Sequence, residues 1–329
     1  MSYRDSFERP IEYLRVSVTD RCNFRCVYCM PEEGVPFIPH EQILRYEEII
    51  HIVRLAVEMG ITHIRLTGGE PLVRAGIVDL VAELSRIPGL DDLAMTTNGM
   101  LLERFAAPLA AAGLRRINLS LDTLKPERFQ KVTRLGSLEQ VLRGREAALK
   151  AGLSPVKVNT VVVHGLNDDE VVDLARLTLQ PDWHVRFIEV MPLGEGTHWV
   201  NDGVVPSTEI RARVEEALGT LTPVRASSGI GPARYYQLPG AQGTLGFISA
   251  ITEHFCHACN RLRLTADGKI LPCLMSDRNI DLRTPLREGV DDEALREIFR
   301  QAILAKPQGH HLSEQLVPEC ALPMSRVGG

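Results

Sequence analysis

Between residue 11 and about residue 218 the chain alternates strand-like and helix-like segments six times. Apolar, β-branched runs fall at 13–18, 63–67, 93–97, 116–121, 156–163 and 184–190. Amphipathic helical patterns follow at 43–59, 77–86, 101–112, 138–151, 169–179 and 208–218. Gly60, Gly113 and Gly152 stand where helix C-caps belong. Alternation of this kind builds a parallel sheet, because consecutive parallel strands need a helical crossover. Six units are too few for a closed eight-stranded barrel. The expectation is an α/β fold, an open, curved six-stranded (βα)6 partial TIM barrel over residues 1–218. From residue 219 to 329 the rhythm changes to short Gly- and Pro-rich segments, with strands expected at 235–238 and 261–265 and a helix at 292–305. This C-terminal α+β extension is expected to close the lateral opening of the barrel.

Strands of a parallel sheet are covered on both faces and normally read as Val/Ile/Leu runs. Here Arg15, Arg65 and Lys157 interrupt three separate strands, and Asn118, Ser120 and Asp122 alternate with Ile117, Leu119 and Leu121. Period-2 alternation puts those three polar residues on one face. A lone buried charge is costly unless paired. Each cation can snorkel at a strand end or pair within the barrel, with Glu189 a candidate partner. Three such residues on separate strands point instead to a shared lumen site, since ligands gather at strand C-termini in this architecture. A cationic interior suits a small polyanion such as a nucleotide phosphate.

Two cysteine triads bracket that lumen. Cys22, Cys26 and Cys29 form C-x3-C-x2-C directly after the first strand. Cysteine thiolates hold iron–sulfur clusters, and three of them leave one iron of a cubane open. An open iron that can bind a cofactor and pass it an electron is what radical chemistry with S-adenosylmethionine needs. A structural zinc site would show four ligands in paired spacing. Gly68-Gly69-Glu70-Pro71 follows the second strand; its glycines allow close backbone approach and Glu70 can bind an ammonium. On its own that run also passes as an ordinary βα turn. Cys256, Cys259 and Cys273 form C-x2-C-x13-C, again without an obvious fourth ligand. A second cluster, a zinc site completed by His254 or His257, and plain structural cysteines all fit that spacing. Cys320 is a distant further candidate ligand. Arg261 and Arg263 share one strand face beside the triad, as a second substrate-binding pole would.

The net charge of −5 gives no support for nucleic-acid binding. Residues 1–10 are polar with no apolar signal region, and no apolar run reaches membrane-spanning length. A cytoplasmic protein without membrane attachment is expected. Seven cysteines in that compartment favour metal or cluster binding over disulfides.

The N-terminal triad resembles the radical S-adenosylmethionine superfamily. Together with Leu-Arg-Val-Ser-Val-Thr-Asp-Arg-Cys, Arg-Leu-Thr-Gly-Gly-Glu-Pro, Thr-Thr-Asn-Gly and Cys-x2-Cys-Asn-Arg-Leu-Arg, the chain resembles the GTP 3′,8-cyclase family (molybdenum cofactor biosynthesis protein A) over essentially its whole length. Gly328-Gly329 fits that family's double-glycine tail. The resemblance implies a radical S-adenosylmethionine core over 1–218 and a C-terminal auxiliary-cluster and substrate-binding region over 219–329. It implies two [4Fe–4S] clusters, one on Cys22, Cys26 and Cys29, the other on Cys256, Cys259 and Cys273 with its open iron toward guanine. Tyr28, Gly68, Gly69, Glu70, Ser120 and Met191 match the S-adenosylmethionine site. Arg15, Arg65, Thr96, Lys157, Arg261 and Arg263 match the GTP site, and Arg261 or Arg263 is the candidate catalytic donor of the late proton-coupled hydrogen bond. Without the resemblance, Met191 reads as core filling and Thr96 and Ser120 as strand-end hydroxyls.

The implied reaction is reductive cleavage of S-adenosylmethionine to a 5′-deoxyadenosyl radical, which takes the 3′ hydrogen of GTP. The product is (8S)-3′,8-cyclo-7,8-dihydroguanosine 5′-triphosphate, the first intermediate of molybdenum cofactor biosynthesis. The implied partners are GTP, an unidentified electron donor and a downstream cyclic pyranopterin monophosphate synthase, with the chain a monomer or homodimer. Competing readings are a radical enzyme acting on a peptide or other small molecule, and a non-catalytic iron–sulfur or zinc regulator. The second offers no reason for six βα units.

Overall fold

A computed structural model describes residues 3–199, 202–225, 228–310 and 324–327. The six expected strands form as β1 (Tyr13–Ser17), β2 (His63–Thr67), β3 (Asp92–Thr97), β4 (Arg116–Ser120), β5 (Val156–Val162) and β6 (His184–Glu189). They lie side by side in chain order, all parallel. The helices are α1 (Tyr46–Glu58), α2 (Ile77–Ser85), α3 (Leu102–Ala111), α4 (Pro126–Thr133), α5 (Leu138–Lys150), α6 (Val171–Arg176) and α7 (Ser207–Leu218). α4 has no counterpart in the sequence reading. It starts on Pro126 at its first turn and buries only Phe129, Val132 and Thr133, too sparse a stripe to stand out.

The helix ends follow from sequence. Gly60, Gly113 and Gly152 all have φ near +90° and close α1, α3 and α5 with the same reverse turn. In the first, Gly60 N–H donates to Val57 O at 2.9 Å and Ile61 N–H to Ala56 O at 3.0 Å. A left-handed residue is needed there, and only glycine adopts it without a Cβ penalty. Each helix turns an apolar stripe inward; α1 buries Ile49, Ile52, Val53 and Ala56 at helical spacing. Burying one Ile or Val side chain of this kind is worth roughly 1.5–3 kcal/mol.

The C-terminal region holds β7 (Thr222–Val224), β8 (Arg234–Gln237), β9 (Thr244–Ile248), β10 (Arg261–Leu264), β11 (Lys269–Leu271) and β12 (Ile280–Asp281). Helices α8 (Arg283–Glu288), α9 (Asp292–Leu304) and α10 (Met324–Val327) complete it. This region does more than cover an opening. β10 pairs parallel to β1, and β9 pairs parallel to β6. The sheet order is β12-β11-β10-β1-β2-β3-β4-β5-β6-β9-β8-β7, so eight parallel strands stand in a row. The row does not close, because each end continues into an antiparallel hairpin. The added strands satisfy the backbone groups that β1 and β6 would otherwise leave bare at the edges of a partial barrel.

Candidate active site

The first cysteine triad sits on the loop leaving β1. Cys29 N–H and Met30 N–H both donate to Cys26 O, at 2.9 and 3.2 Å, which curls the loop around its thiols. Arg25 N–H to Thr133 O and Val27 N–H to Val132 O pin it to the end of α4. From the other side, Gly69 N–H donates to Thr19 O and Glu70 N–H to Arg21 O, each at 2.8 Å. A Cβ at Gly69 would lie 2.3 Å from Arg21 O. The close approach these glycines allow is therefore to the chain's own cysteine loop, with the opposite side left toward the cavity.

Two carboxylates face this triad. Glu70 accepts from Asn98 N–H at 2.7 Å, Thr97 Oγ1 at 2.7 Å and Leu72 N–H at 3.1 Å, locking the exit of β2 to the end of β3. Burial still pushes its carboxyl up to about 7 against those donors. Asp122 accepts from Tyr28 Oη at 2.5 Å and from Val161 N–H at 2.9 Å, and burial pushes it up to about 6. The thiols respond in kind. Burial and then Glu70 raise Cys22 to about 11, while burial, Cys22 and Asp122 raise Cys29 to about 12.

Register builds the cationic wall. Arg15 on β1 stands opposite Arg65 on β2 and Arg263 on β10, so three guanidinium side chains share one level of neighbouring strands. Burial, then Arg263, works against the charge on Arg15. Arg65 Nε donates to the Tyr13 hydroxyl, and its Nη1 is buried without a hydrogen-bond partner. On β6, Arg186 is buried with Nε and Nη2 likewise unpartnered. A Cβ at Gly246, its neighbour on β9, would lie 2.7 Å from Arg186 Cγ, so glycine makes the room this side chain fills. Neither Arg65 nor Arg186 makes an ion pair among the described residues. Thr96 Oγ1, Asn118 Oδ1 and Asn159 Oδ1 are further buried polar atoms without partners.

Two residues picked from the sequence meet partners elsewhere in the fold. Lys157 is buried, but its ammonium donates to Ser228 O at 2.8 Å and Tyr235 Oη at 3.3 Å. It is not among the residues that line the cavity, because the segment after β7 covers it and lends Gly231 and Pro232 to the wall instead. Burial and then Arg186 lower its ammonium to about 7. Glu189 does not pair with a lumen cation. Its two oxygens accept from Ser207 N–H, Ile251 N–H, Thr252 N–H and Thr252 Oγ1 at 2.5–3.0 Å, joining β6 to α7 and to the C-terminal region.

The second triad is assembled from two segments. Cys256 and Cys259 flank a short turn whose Cys259 N–H donates to Cys256 O at 3.1 Å, and Cys273 follows β11. Arg261 Nη2 reaches Cys259 Sγ at 3.7 Å. Burial opposes ionisation of Cys259, but Arg261 and Lys306 outweigh it and hold the thiol down at about 6. Burial raises Cys256 and Cys273. His254 and His257 are exposed and stand outside the cavity lining.

One cavity of about 320 Å³ joins all of this. All six of these cysteines line it, and so do Tyr28, Gly68, Gly69, Glu70, Ser120 and Met191 and, of the six residues matched to the GTP site, all but Lys157. Cys320 and Gly328-Gly329 lie outside the described residues. Arg263 Nη1 donates to Val327 O at 3.1 Å, which brings α10 to the cavity mouth. The sequence reading missed Tyr13, Asn98, Arg186, Lys306 and His310, all of which line the cavity. Arg186 carries the same signal that exposed Arg15 and Arg65, a charge inside a parallel strand.

The donor sets fit the groups their chemistry suggests. Each pole offers three soft thiols, none of them in a disulfide. Among the described residues no three His, Cys, Asp or Glu side chains converge as the ligands of a single metal ion do. A cluster spreads its thiolates over separate irons. The unpartnered Arg65 and Arg186 donors between the poles fit a polyanion.

Comparison with known proteins agrees with the geometry. The Radical SAM superfamily profile matches residues 16–178, and the Molybdenum Cofactor Synthesis C profile matches residues 183–312. A GTP 3′,8-cyclase of Heliobacterium modesticaldum is 54% identical over 325 residues, covering 99% of each chain. One from Pelotomaculum thermopropionicum is 52% identical over 326 residues, covering 99% of this chain and 100% of that one. Among solved structures, Streptococcus suis SuiB bound to S-adenosylmethionine superposes with a TM-score of 0.63 at 14% identity, over 96% of this chain and 77% of that one. At that identity the likeness speaks for the fold.

Proposed function

The chain belongs to the GTP 3′,8-cyclase family of radical S-adenosylmethionine enzymes, and from that premise we propose how its residues carry the reaction. It converts GTP to (8S)-3′,8-cyclo-7,8-dihydroguanosine 5′-triphosphate, the first step of molybdenum cofactor biosynthesis. When bound, an iron–sulfur cluster and S-adenosylmethionine supply the carbon-centred radical that takes the 3′ hydrogen of GTP.

Cys22, Cys26 and Cys29 hold the cluster of the first pole. Tyr28, Gly68, Gly69, Glu70, Ser120 and Met191 seat S-adenosylmethionine beside it. Arg15, Arg65, Thr96, Arg261 and Arg263 seat GTP, and Arg186 joins them. Lys157 adds its charge from behind the segment that covers it. Cys256, Cys259 and Cys273 hold a second [4Fe–4S] cluster at the guanine end, and Arg261 or Arg263 donates the late proton-coupled hydrogen bond. In this reading residues 1–218 form the radical core and 219–329 the auxiliary-cluster region. The enzyme acts in the cytoplasm as a monomer or homodimer, draws on an electron donor still to be identified, and hands its product to cyclic pyranopterin monophosphate synthase. Orientation, charge and exclusion of water are what the protein itself contributes.

The observation that carries the GTP assignment is the buried Arg65 and Arg186 pair, without ion pairs among the described residues and with unpartnered nitrogens. Uncompensated buried cations cost several kcal/mol each, and a triphosphate offsets them. The test is anaerobic reconstitution with iron and sulfide, followed by S-adenosylmethionine, dithionite and GTP. About eight irons per chain, with 5′-deoxyadenosine formed efficiently only when GTP is present, supports the reading. About four irons, with zinc making up the difference, removes the second cluster and reopens the guanine contact.

A further inference from the structure

Lys306 follows α9 and is only 3% exposed. Its ammonium donates to Arg261 O at 2.7 Å and to Pro272 O at 2.8 Å. These carbonyls belong to different segments. Arg261 stands two residues after Cys259, and Pro272 immediately precedes Cys273. One cation therefore ties the C-x2-C turn to the third cysteine, which β10 and β11 separate in sequence. Its charge also bears directly on the Cys259 and Cys273 thiols, and the side chain lines the cavity. The segment just beyond Lys306 is itself fastened to the triad. Arg9 Nη1 donates to Cys256 O at 2.6 Å and to Gln308 O at 2.9 Å, and Arg9 Nη2 to Pro307 O at 2.6 Å. No carboxylate makes an ion pair with Lys306 among the described residues, whereas Arg9 is paired with Asp5.

We propose that Lys306 is a positioning residue for the second thiol triad: it joins the two segments that carry the thiols, and its charge favours the reduced form of the cluster held there. This rests on the second-cluster reading given above. A reduced cluster is one charge more negative than the oxidised one, and surrounding charge and hydrogen bonds near the sulfurs set its potential. A buried cation beside two of the three thiolates stabilises the reduced form, so its loss lowers the potential. The first triad lies on the other side of the cavity and is faced by carboxylates, so its potential does not depend on Lys306.

The full-length chain is reconstituted anaerobically as wild type, Lys306→Gln and Lys306→Arg. Iron is counted, and each cluster's midpoint is read by electron paramagnetic resonance during a dithionite titration. Lys306→Gln is expected to lose up to half the iron, all of it from the second triad. In chains that keep that cluster, its midpoint shifts downward while the first cluster's signal stays in place. Lys306→Arg restores most of the iron and the wild-type midpoint. Wild-type iron with both midpoints unmoved in Lys306→Gln overturns the proposal. Loss of the first triad's iron as well also overturns it, by marking Lys306 as a general element of the fold. If wild type holds zinc at the second triad, the cluster reading fails on that count alone; the tie is then read as selective loss of zinc from Lys306→Gln, and zinc retained in full refutes it.

Discussion

The two cysteine triads face each other across one cavity yet are built on opposite plans. The first occupies eight consecutive residues, is curled by its own backbone hydrogen bonds, and is faced by Glu70 and Asp122. The second draws on separate segments, is held by Arg9 and Lys306, and is faced by Arg261 and Lys306. Burial, reinforced by Glu70 at Cys22 and by Cys22 and Asp122 at Cys29, raises these thiols to about 11 and 12, whereas Arg261 and Lys306 outweigh burial and bring Cys259 down to about 6. The first pole thus favours an electron-poor occupant and a cationic ligand, as S-adenosylmethionine is. The second continues the cationic wall of Arg15, Arg65 and Arg263 and favours anions. The two poles differ in charge as much as in cysteine spacing.

Breaking either pole gives the largest effect. If the first triad holds the radical-generating cluster as proposed, Cys22→Ser should abolish both 5′-deoxyadenosine and cyclised product, a loss of at least about three orders of magnitude. Cys256→Ser should keep 5′-deoxyadenosine formation and lose the cyclised product. Chromatography of both products from single-turnover reactions separates the cases, and full cyclisation by Cys256→Ser would refute a substrate role for the second pole.

The wall between the poles should be the next most sensitive. Arg186→Ala and Arg65→Ala are each expected to raise the GTP dissociation constant on the order of 10- to 100-fold, the worth of a hydrogen bond to a charged group. Iron content should stay at the wild-type level in both. Unchanged binding in both variants, measured by anaerobic calorimetry, would move the triphosphate off this wall.

The acidic pole makes a smaller, pH-dependent contribution. Burial raises Glu70 from its ordinary 4.5 to about 7, so the folded chain holds a proton there that the unfolded chain releases at lower pH. Stability in the cluster-free protein is therefore full below the unfolded value and falls as pH rises from about 4.5 to about 7, by at most about 3 kcal/mol. Glu70→Gln removes that slope. Urea denaturation across the window would show it, and an identical slope in the variant would mean that Glu70 is ionised throughout.

Much of this molecule was legible in its sequence, for identifiable reasons. All six core strands start within one residue of their expected positions, because apolar runs, helical stripes and capping glycines agree with one another. Arg15 and Arg65 stood out as charges inside parallel strands. Arg186 broke the same rule and was passed over, although Gly246 beside it supplies the room it needs. Lys157 and Glu189 show the limit. Their partners, Ser228 and residues 251–252, lie 71 and about 62 positions further along, and no local pattern announces such a meeting. The parallel docking of β9 and β10 was hidden for the same reason: a four- or five-residue strand carries no mark of which edge it will join.

The pairing of β10 with β1 also sets the order of events when the chain is made. Tyr13 meets Arg261 in the sheet, so one of the first strands to leave the ribosome waits for one of the last. Until then β1 presents an open backbone edge beside the three thiols of the first triad, and the contact that covers it spans most of the chain. Completion of the barrel edge and arrival of the second triad are consequently a single late step in folding, and iron delivered before that step would meet only the first pole.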